Sequence, residues 1–266
     1  MPFFESYYYE THGDKKTPPV VFLHGFMGNC ESWYEIVDGL KRSIYCVTID
    51  LPGHGKNLPK DRSAYEIPNC AEIIVRFVEN VGFKEFSLVG YSLGGRQSLF
   101  LALNFPKRVK KLVLESSSPG LEAEKERAER KKSDEKLAQE LETDSLENFI
   151  HKWYNQPLFE SLKKDQTQFE TLISKRKQND PKGLAASLRS MGTGTQESLW
   201  GKLKNLKPPT LLIVGEYDRK FQEIAHKMST ATEKITVKSV VGAGHNVHYE
   251  KPEKYVELLK NFLSED

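Results

Sequence analysis

Cysteine is scarce: Cys30, Cys46 and Cys70 are the only three in 266 residues. Their number is odd, they lie far apart, and Cys-x-x-Cys does not occur, which speaks against a disulfide framework and for a reducing compartment. Charge of one sign is lacking too. The 39 Lys plus Arg nearly balance 37 Asp plus Glu, for a net of +2. That leaves no electrostatic case for nucleic acid or a membrane surface as partner. No apolar run approaches the roughly 20 residues that cross a bilayer. The opening text MPFFESYYYETHGDKK has no basic stretch followed by an apolar one, so no secretory leader is expected. His, Cys and carboxylates do not cluster at ligand spacing, so no metal or other cofactor is expected. These absences point to a cytoplasmic protein, a monomer or small homo-oligomer, acting on a small molecule.

What is present suits a folded globular chain: 38% hydrophobic and 11% aromatic residues. Short apolar runs recur at 19–25, 43–50, 85–90, 109–116, 210–216 and 234–242. Most are β-branched and nearly continuous in hydrophobicity, as strands buried on both faces are. Helical spacing appears between and after them, at 71–81, 96–105 and 255–263. Strand and helix in alternation imply an α/β fold, a mostly parallel sheet flanked by helices. The rhythm stops after Ser118-Pro119-Gly120. From there to about 204 the text is charged and helical, and strand text resumes at Pro208-Pro209. The expected organisation is a core of 1–118 and 205–266, with a helical cap of 119–204 over the sheet's C-terminal edge, where open α/β sheets bind ligands.

Within this frame GYSLG (90–94) ends a strand and begins a helix. That is the setting of a nucleophile elbow, in which glycines allow close backbone approach around a serine. A serine hydroxyl reacts only when an imidazole takes its proton and an acid orients the imidazole. Asp218 follows one strand and His245 the next, each in a loop that the sheet can bring to Ser92. The order serine, acid, histidine is the one this arrangement requires. His24-Gly25-Phe26 follows the strand VVFL; the amides of Phe26 and Leu93 are then the expected donors of an oxyanion hole. Such a pair can hold a tetrahedral oxyanion or an enolate, and the parts do not choose between them. His54 is read as shaping a loop near the site and His248 as standing behind it, with His12, His151 and His226 on the surface.

Arg96 lies four residues after Ser92, on the same helical face. A neutral ester gains nothing from a guanidinium there, whereas a carboxylate would, through a bidentate pair. HGFMGNCESW, DLPGHG, VGYSLGGR, SPGLEAEKERAERKKSD, WYNQP with Phe159, GEYDRKF and GAGHNVHYE together make the chain resemble the 2-succinyl-6-hydroxy-2,4-cyclohexadiene-1-carboxylate synthases of menaquinone biosynthesis. Those enzymes have the α/β-hydrolase fold with an inserted helical cap. The resemblance covers about residues 20 to 252, and its cap segments discriminate more sharply than GxSxG or DLPGHG. It implies a lyase that hydrolyses nothing: a ring proton α to a ketone is removed and pyruvate is expelled from a small polycarboxylate. It further implies that Ser92, Asp218 and His245 act as a base, with an enolate held by Phe26 and Leu93. Arg96, Arg130 and Arg176 would bind carboxylates, and Tyr91, Trp153, Tyr154, Phe159 and Lys220 match pocket positions. Arg130 also has Glu126 as a possible helix-surface partner, and Lys175 or Lys177 could serve in place of Arg176. Two other readings stand beside the lyase: a hydrolase cleaving an ester or carbon–carbon bond of a small acidic substrate, and a non-enzymatic binding protein.

Overall fold

The computed structural model describes residues 7–264; the sequence readings at 1–6 and 265–266 lie outside it. Seven strands form one sheet: β1 (Tyr9–His12), β2 (Val20–Leu23), β3 (Cys46–Ile49), β4 (Phe86–Tyr91), β5 (Val109–Glu115), β6 (Thr210–Gly215) and β7 (Ile235–Val240). Their order is β1-β3-β2-β4-β5-β6-β7. Only β1 runs antiparallel to its neighbour. Five strands lie inside the apolar runs read from the sequence, and β4 runs one residue past its own, to Tyr91. β1 lies in none: its YETH alternates exposed and half-buried positions on the sheet's edge, so no apolar run marks it.

Side chains along a strand point alternately to opposite faces. Val21, Leu23, Val47, Leu88 and Leu212 therefore pack into one core, and Val20, Phe22, Val89, Val113 and Ile213 into the other. Helices α1 (Tyr34–Leu40), α2 (Ile67–Asn80) and α3 (Leu93–Asn104) precede the insertion. α2 and α3 cover the first face, through Ile74, Val78 and Leu99. α1 covers the second with Ile36, Val37 and Leu40. Each such side chain, moved from water to the interior, contributes about 1.5–3 kcal/mol before entropy is charged against it.

Between β5 and β6 the described chain has helices and no strand: α4 (Glu124–Thr143), α5 (Leu146–Tyr154), α6 (Gln166–Arg176), α7 (Pro181–Met191) and two 3₁₀ segments, Pro157–Lys164 and Trp200–Asn205. These helices have a small core of their own, containing Leu141, Phe149, Ile150, Leu172, Ile173 and Leu184. Met27, from the loop after β2, is buried in it. α4 is mostly charged and is held to α7 by Arg189, whose guanidinium donates to Glu135 and Glu142. After β6 come α8 (Arg219–Ala231), the short α9 (Val247–Glu250) and α10 (Pro252–Ser264). α8 joins the α2 and α3 face through Ala225 and Met228, and α10 the α1 face through Tyr255 and Leu259. Among the described residues no helix is long and apolar enough to cross a membrane.

Candidate active site

Ser92 sits between β4 and α3 with φ +50° and ψ −106°, a conformation that β-carbon-bearing residues rarely adopt. The turn around it tolerates no larger neighbour. A β-carbon at Gly94 would overlap the carbonyl oxygen of Leu23, and one at Gly90 the Ser98 hydroxyl. The tight turn lifts the Ser92 side chain to the C-terminal edge of the sheet, with its amide tied to Glu115 O at 2.9 Å.

Two more strands end beside it. Asp218 follows β6 and is almost fully buried; its Oδ2 accepts from His245 Nδ1 at 2.7 Å. Its other oxygen accepts from the Phe221 amide at 3.4 Å. His245 follows β7, and its Nε2 stands 3.3 Å from Ser92 Oγ. With Nδ1 donating to the carboxylate, Nε2 is left as the acceptor for the serine proton. Phe221 and Phe159 close over the imidazole, with ring centroids at 4.7 and 5.8 Å.

The loop after β2 is set by a neutral histidine. His24 Nε2 accepts from the Leu51 amide at 2.9 Å, and Nδ1 donates to Gly25 O at 2.8 Å. Burial, with the neighbouring His54, holds the His24 imidazole well below its ordinary range, so it keeps this tautomer. A β-carbon at Gly25 would press on the Tyr91 ring and lie 3.6 Å from Ser92 Cβ. The absence of that atom lets the loop lie against the serine. Among the described residues neither the Phe26 nor the Leu93 amide has a hydrogen-bond acceptor. Leu93 is buried and Phe26 half-buried, and an amide left without a partner in such surroundings is costly unless something visits it.

Of the expected pocket residues, Tyr91, Trp153, Tyr154, Phe159 and Arg176 line one cavity with Ser92. Arg176 is 6% exposed. Its Nε donates to the Tyr154 hydroxyl at 3.1 Å and its Nη1 to Ser32 Oγ at 3.4 Å. Among the described residues no carboxylate pairs with it. Lys177 turns outward to Glu147. Arg96 is placed otherwise. It is buried, but its guanidinium donates to Gln196 Oε1 at 2.6 Å and to Met191 O at 2.7 Å, and it does not line the cavity at Ser92. Burial and the nearby Arg130 charge pull it down to about 10, still charged at neutral pH. Arg130 pairs not with Glu126 but with buried Asp134, four residues later, at 2.7 Å. Lys220 is exposed, with Nζ 5.9 Å from the centroid of Phe221.

His54 is buried with its Nδ1 donating to Pro52 O at 3.1 Å, and its ring stands 5.6 Å from Phe26. His248 donates from its amide and from Nδ1 to Glu115, at 3.0 and 2.7 Å. Sequence reasoning missed Glu115, Gln196, Ser32 and Asn246; the last two line the cavity at Ser92. Asn246, next to His245, was the one whose position could have suggested it.

A family model for the α/β hydrolase fold matches residues 18–252. The chain is 36% identical over 256 residues to the 2-succinyl-6-hydroxy-2,4-cyclohexadiene-1-carboxylate synthase of Salmonella typhimurium, covering 94% of this chain and 96% of that one. The solved structure of MenH from S. aureus superposes with a TM-score of 0.92 at 31% identity, covering 96% of this chain and 97% of that one. An enol-lactonase from Burkholderia xenovorans LB400, 16% identical with a TM-score of 0.83 over 97% of this chain and 96% of its own, shares the fold.

Proposed function

The chain belongs to the α/β-hydrolases and, within them, to the 2-succinyl-6-hydroxy-2,4-cyclohexadiene-1-carboxylate synthases of menaquinone biosynthesis, and we propose that its triad serves their lyase reaction as a base. The substrate is 2-succinyl-5-enolpyruvyl-6-hydroxy-3-cyclohexene-1-carboxylate. His245 Nε2 draws the proton from Ser92 Oγ, and the oxygen removes the ring proton α to the succinyl ketone. Asp218 stabilises the imidazolium that forms. The electron pair of the broken C–H bond moves onto the ketone oxygen as an enolate, which the Phe26 and Leu93 amides hold. Its collapse shifts the ring double bond and breaks the C–O bond to the enolpyruvyl group. Pyruvate leaves after taking back one proton, no water is consumed, and the ring is left as the cyclohexadiene.

One observation carries this reading. The Ser92–His245–Asp218 chain opens into the same cavity as a buried arginine, Arg176, that no carboxylate among the described residues neutralises. Burying an unpaired guanidinium costs several kcal/mol, a cost that a substrate carboxylate would offset. Arg96 and Arg130 extend the argument. The nearby Arg130 pairs with Asp134, and among the described residues Arg96 itself donates to neutral acceptors alone. A second substrate carboxylate could take the place of Gln196 there. Residues 119–204 act as the cap and 1–118 with 205–266 as the core. Three free, buried cysteines suit the cytosol. The test is intact-mass spectrometry on enzyme quenched during turnover. A base leaves the protein unmodified, whereas an adduct on Ser92 would make it a nucleophile and overturn the proposal.

A further inference from the structure

The loop that carries His245 is fastened at three alternate amides to two glutamates. The Gly244 amide donates to both oxygens of Glu250, at 3.1 Å each. The Asn246 amide donates to Glu250 Oε1 at 3.3 Å. Two residues on, His248 gives its amide and Nδ1 to Glu115, the last residue of β5. The backbone amides of the two residues on either side of His245, Gly244 and Asn246, are thus held by the side chain that ends α9, folded back over the loop. The helical insertion closes this arrangement. Ser161 lies on the same 3₁₀ turn as Phe159, and a β-carbon at Gly244 would overlap its hydroxyl oxygen and stand 3.4 Å from Glu250 Oε1. Burial pushes the Glu250 carboxyl up, while the bonds from the Gly244 and Asn246 amides pull it back.

From this geometry we propose that Glu250 is a positioning residue for His245. It fixes the amides of the residues on either side of the imidazole, and so the reach of Nε2 to Ser92 Oγ. The bond it governs is 3.3 Å long, near the outer limit of a useful hydrogen bond. A small shift of the loop therefore breaks proton transfer, while Arg176, Trp153 and Tyr154 on the insertion keep their places in the cavity. Ser161 and Gly244 shield the carboxylate on the side of the insertion, which strengthens its bonds to the amides. The proposal rests on the reading of His245 as the proton acceptor of the triad.

The experiment compares wild type, Glu250→Gln and His245→Ala in pyruvate release, with thermal melts and the downfield proton resonance of His245 Nδ1–H. Glu250→Gln keeps the size of the side chain and one acceptor oxygen, but cannot accept from both amides with a full charge. Its expected kcat is about 10- to 100-fold below wild type, with KM within about threefold, the signature of lost alignment and retained binding. The Nδ1–H resonance should broaden or move. If Glu250→Gln is too unstable to assay, Glu250→Asp, which keeps the charge but draws it back by about one bond of 1.5 Å, should show the same split. A folded Glu250→Gln with kcat within twofold of wild type and an unmoved resonance, beside an inactive His245→Ala, overturns the proposal. An active His245→Ala would instead overturn the triad reading beneath it.

Discussion

Ser92 and Arg176 lie against the same cavity, yet a substitution at each should fail in a different way. On the proposed reading the Ser92 hydroxyl is the base: Ser92→Ala should cut kcat by roughly 10³-fold or more, and the Ser92→Ala, His245→Ala double variant should lose little further, because residues of a triad act as a unit. A double variant whose loss equals the product of the single losses would separate them. Arg176→Ala leaves the triad intact and removes a charge-assisted contact, worth about 2–4 kcal/mol in a dry pocket. That equals roughly 30- to 1,000-fold in kcat/KM on the carboxylated substrate, with little effect on the slow cleavage of a neutral ester. Equal losses on both substrates would assign Arg176 to the fold instead. Arg96→Ala is expected to cost the lyase reaction too, but also to leave Gln196 and Met191 O without their donor. Its melt must therefore be read beside its kinetics.

The elbow and the neighbouring strands act as one element. Gly94 faces the Leu23 carbonyl so closely that any side chain must displace β2. Gly94→Ala should therefore cost about 1–3 kcal/mol, seen as a Tm lowered by about 2–12 °C. Gly201→Ala is the control, since a β-carbon there meets nothing within 4 Å; a Gly94→Ala melt no lower than the control's would contradict the packing argument. The buried strands are legible in the sequence because they are apolar on both faces, and the triad because each member follows such a strand. β1 is not, being a half-exposed edge without an apolar run. Arg96 was legible as an unusual cation one turn past Ser92, but not its partners, which lie 95 and 100 residues away on the insertion. Glu250 stood in view within GAGHNVHYE, but nothing in the one-dimensional text shows a side chain folding back onto two amides.

At the scale of the molecule, the insertion meets the core on top of Ser92 and His245, through Met27, Phe26, Phe159 and Ser161. The cavity left at Ser92 is only about 30 Å³, room for little more than a water. For the proposed substrate, a ring bearing three carboxylates, the expectation is that the insertion lifts from the core. Trp153, 5.0 Å from Phe26 across that boundary, should report the movement. Titrating Ser92→Ala with the enolpyruvyl precursor should change tryptophan fluorescence, and Trp153→Phe should abolish the change; a response that survives in Trp153→Phe would place the motion elsewhere.

The central claim is that a hydrolase triad here removes a proton and expels pyruvate. The most direct test is to supply the enolpyruvyl precursor and follow pyruvate with a lactate dehydrogenase couple, while the diene product is read by its absorbance. The expected result is one pyruvate per diene, at a rate that falls roughly 10³-fold in Ser92→Ala. Pyruvate release no faster than in buffer, or a Ser92→Ala rate equal to wild type, would contradict the claim.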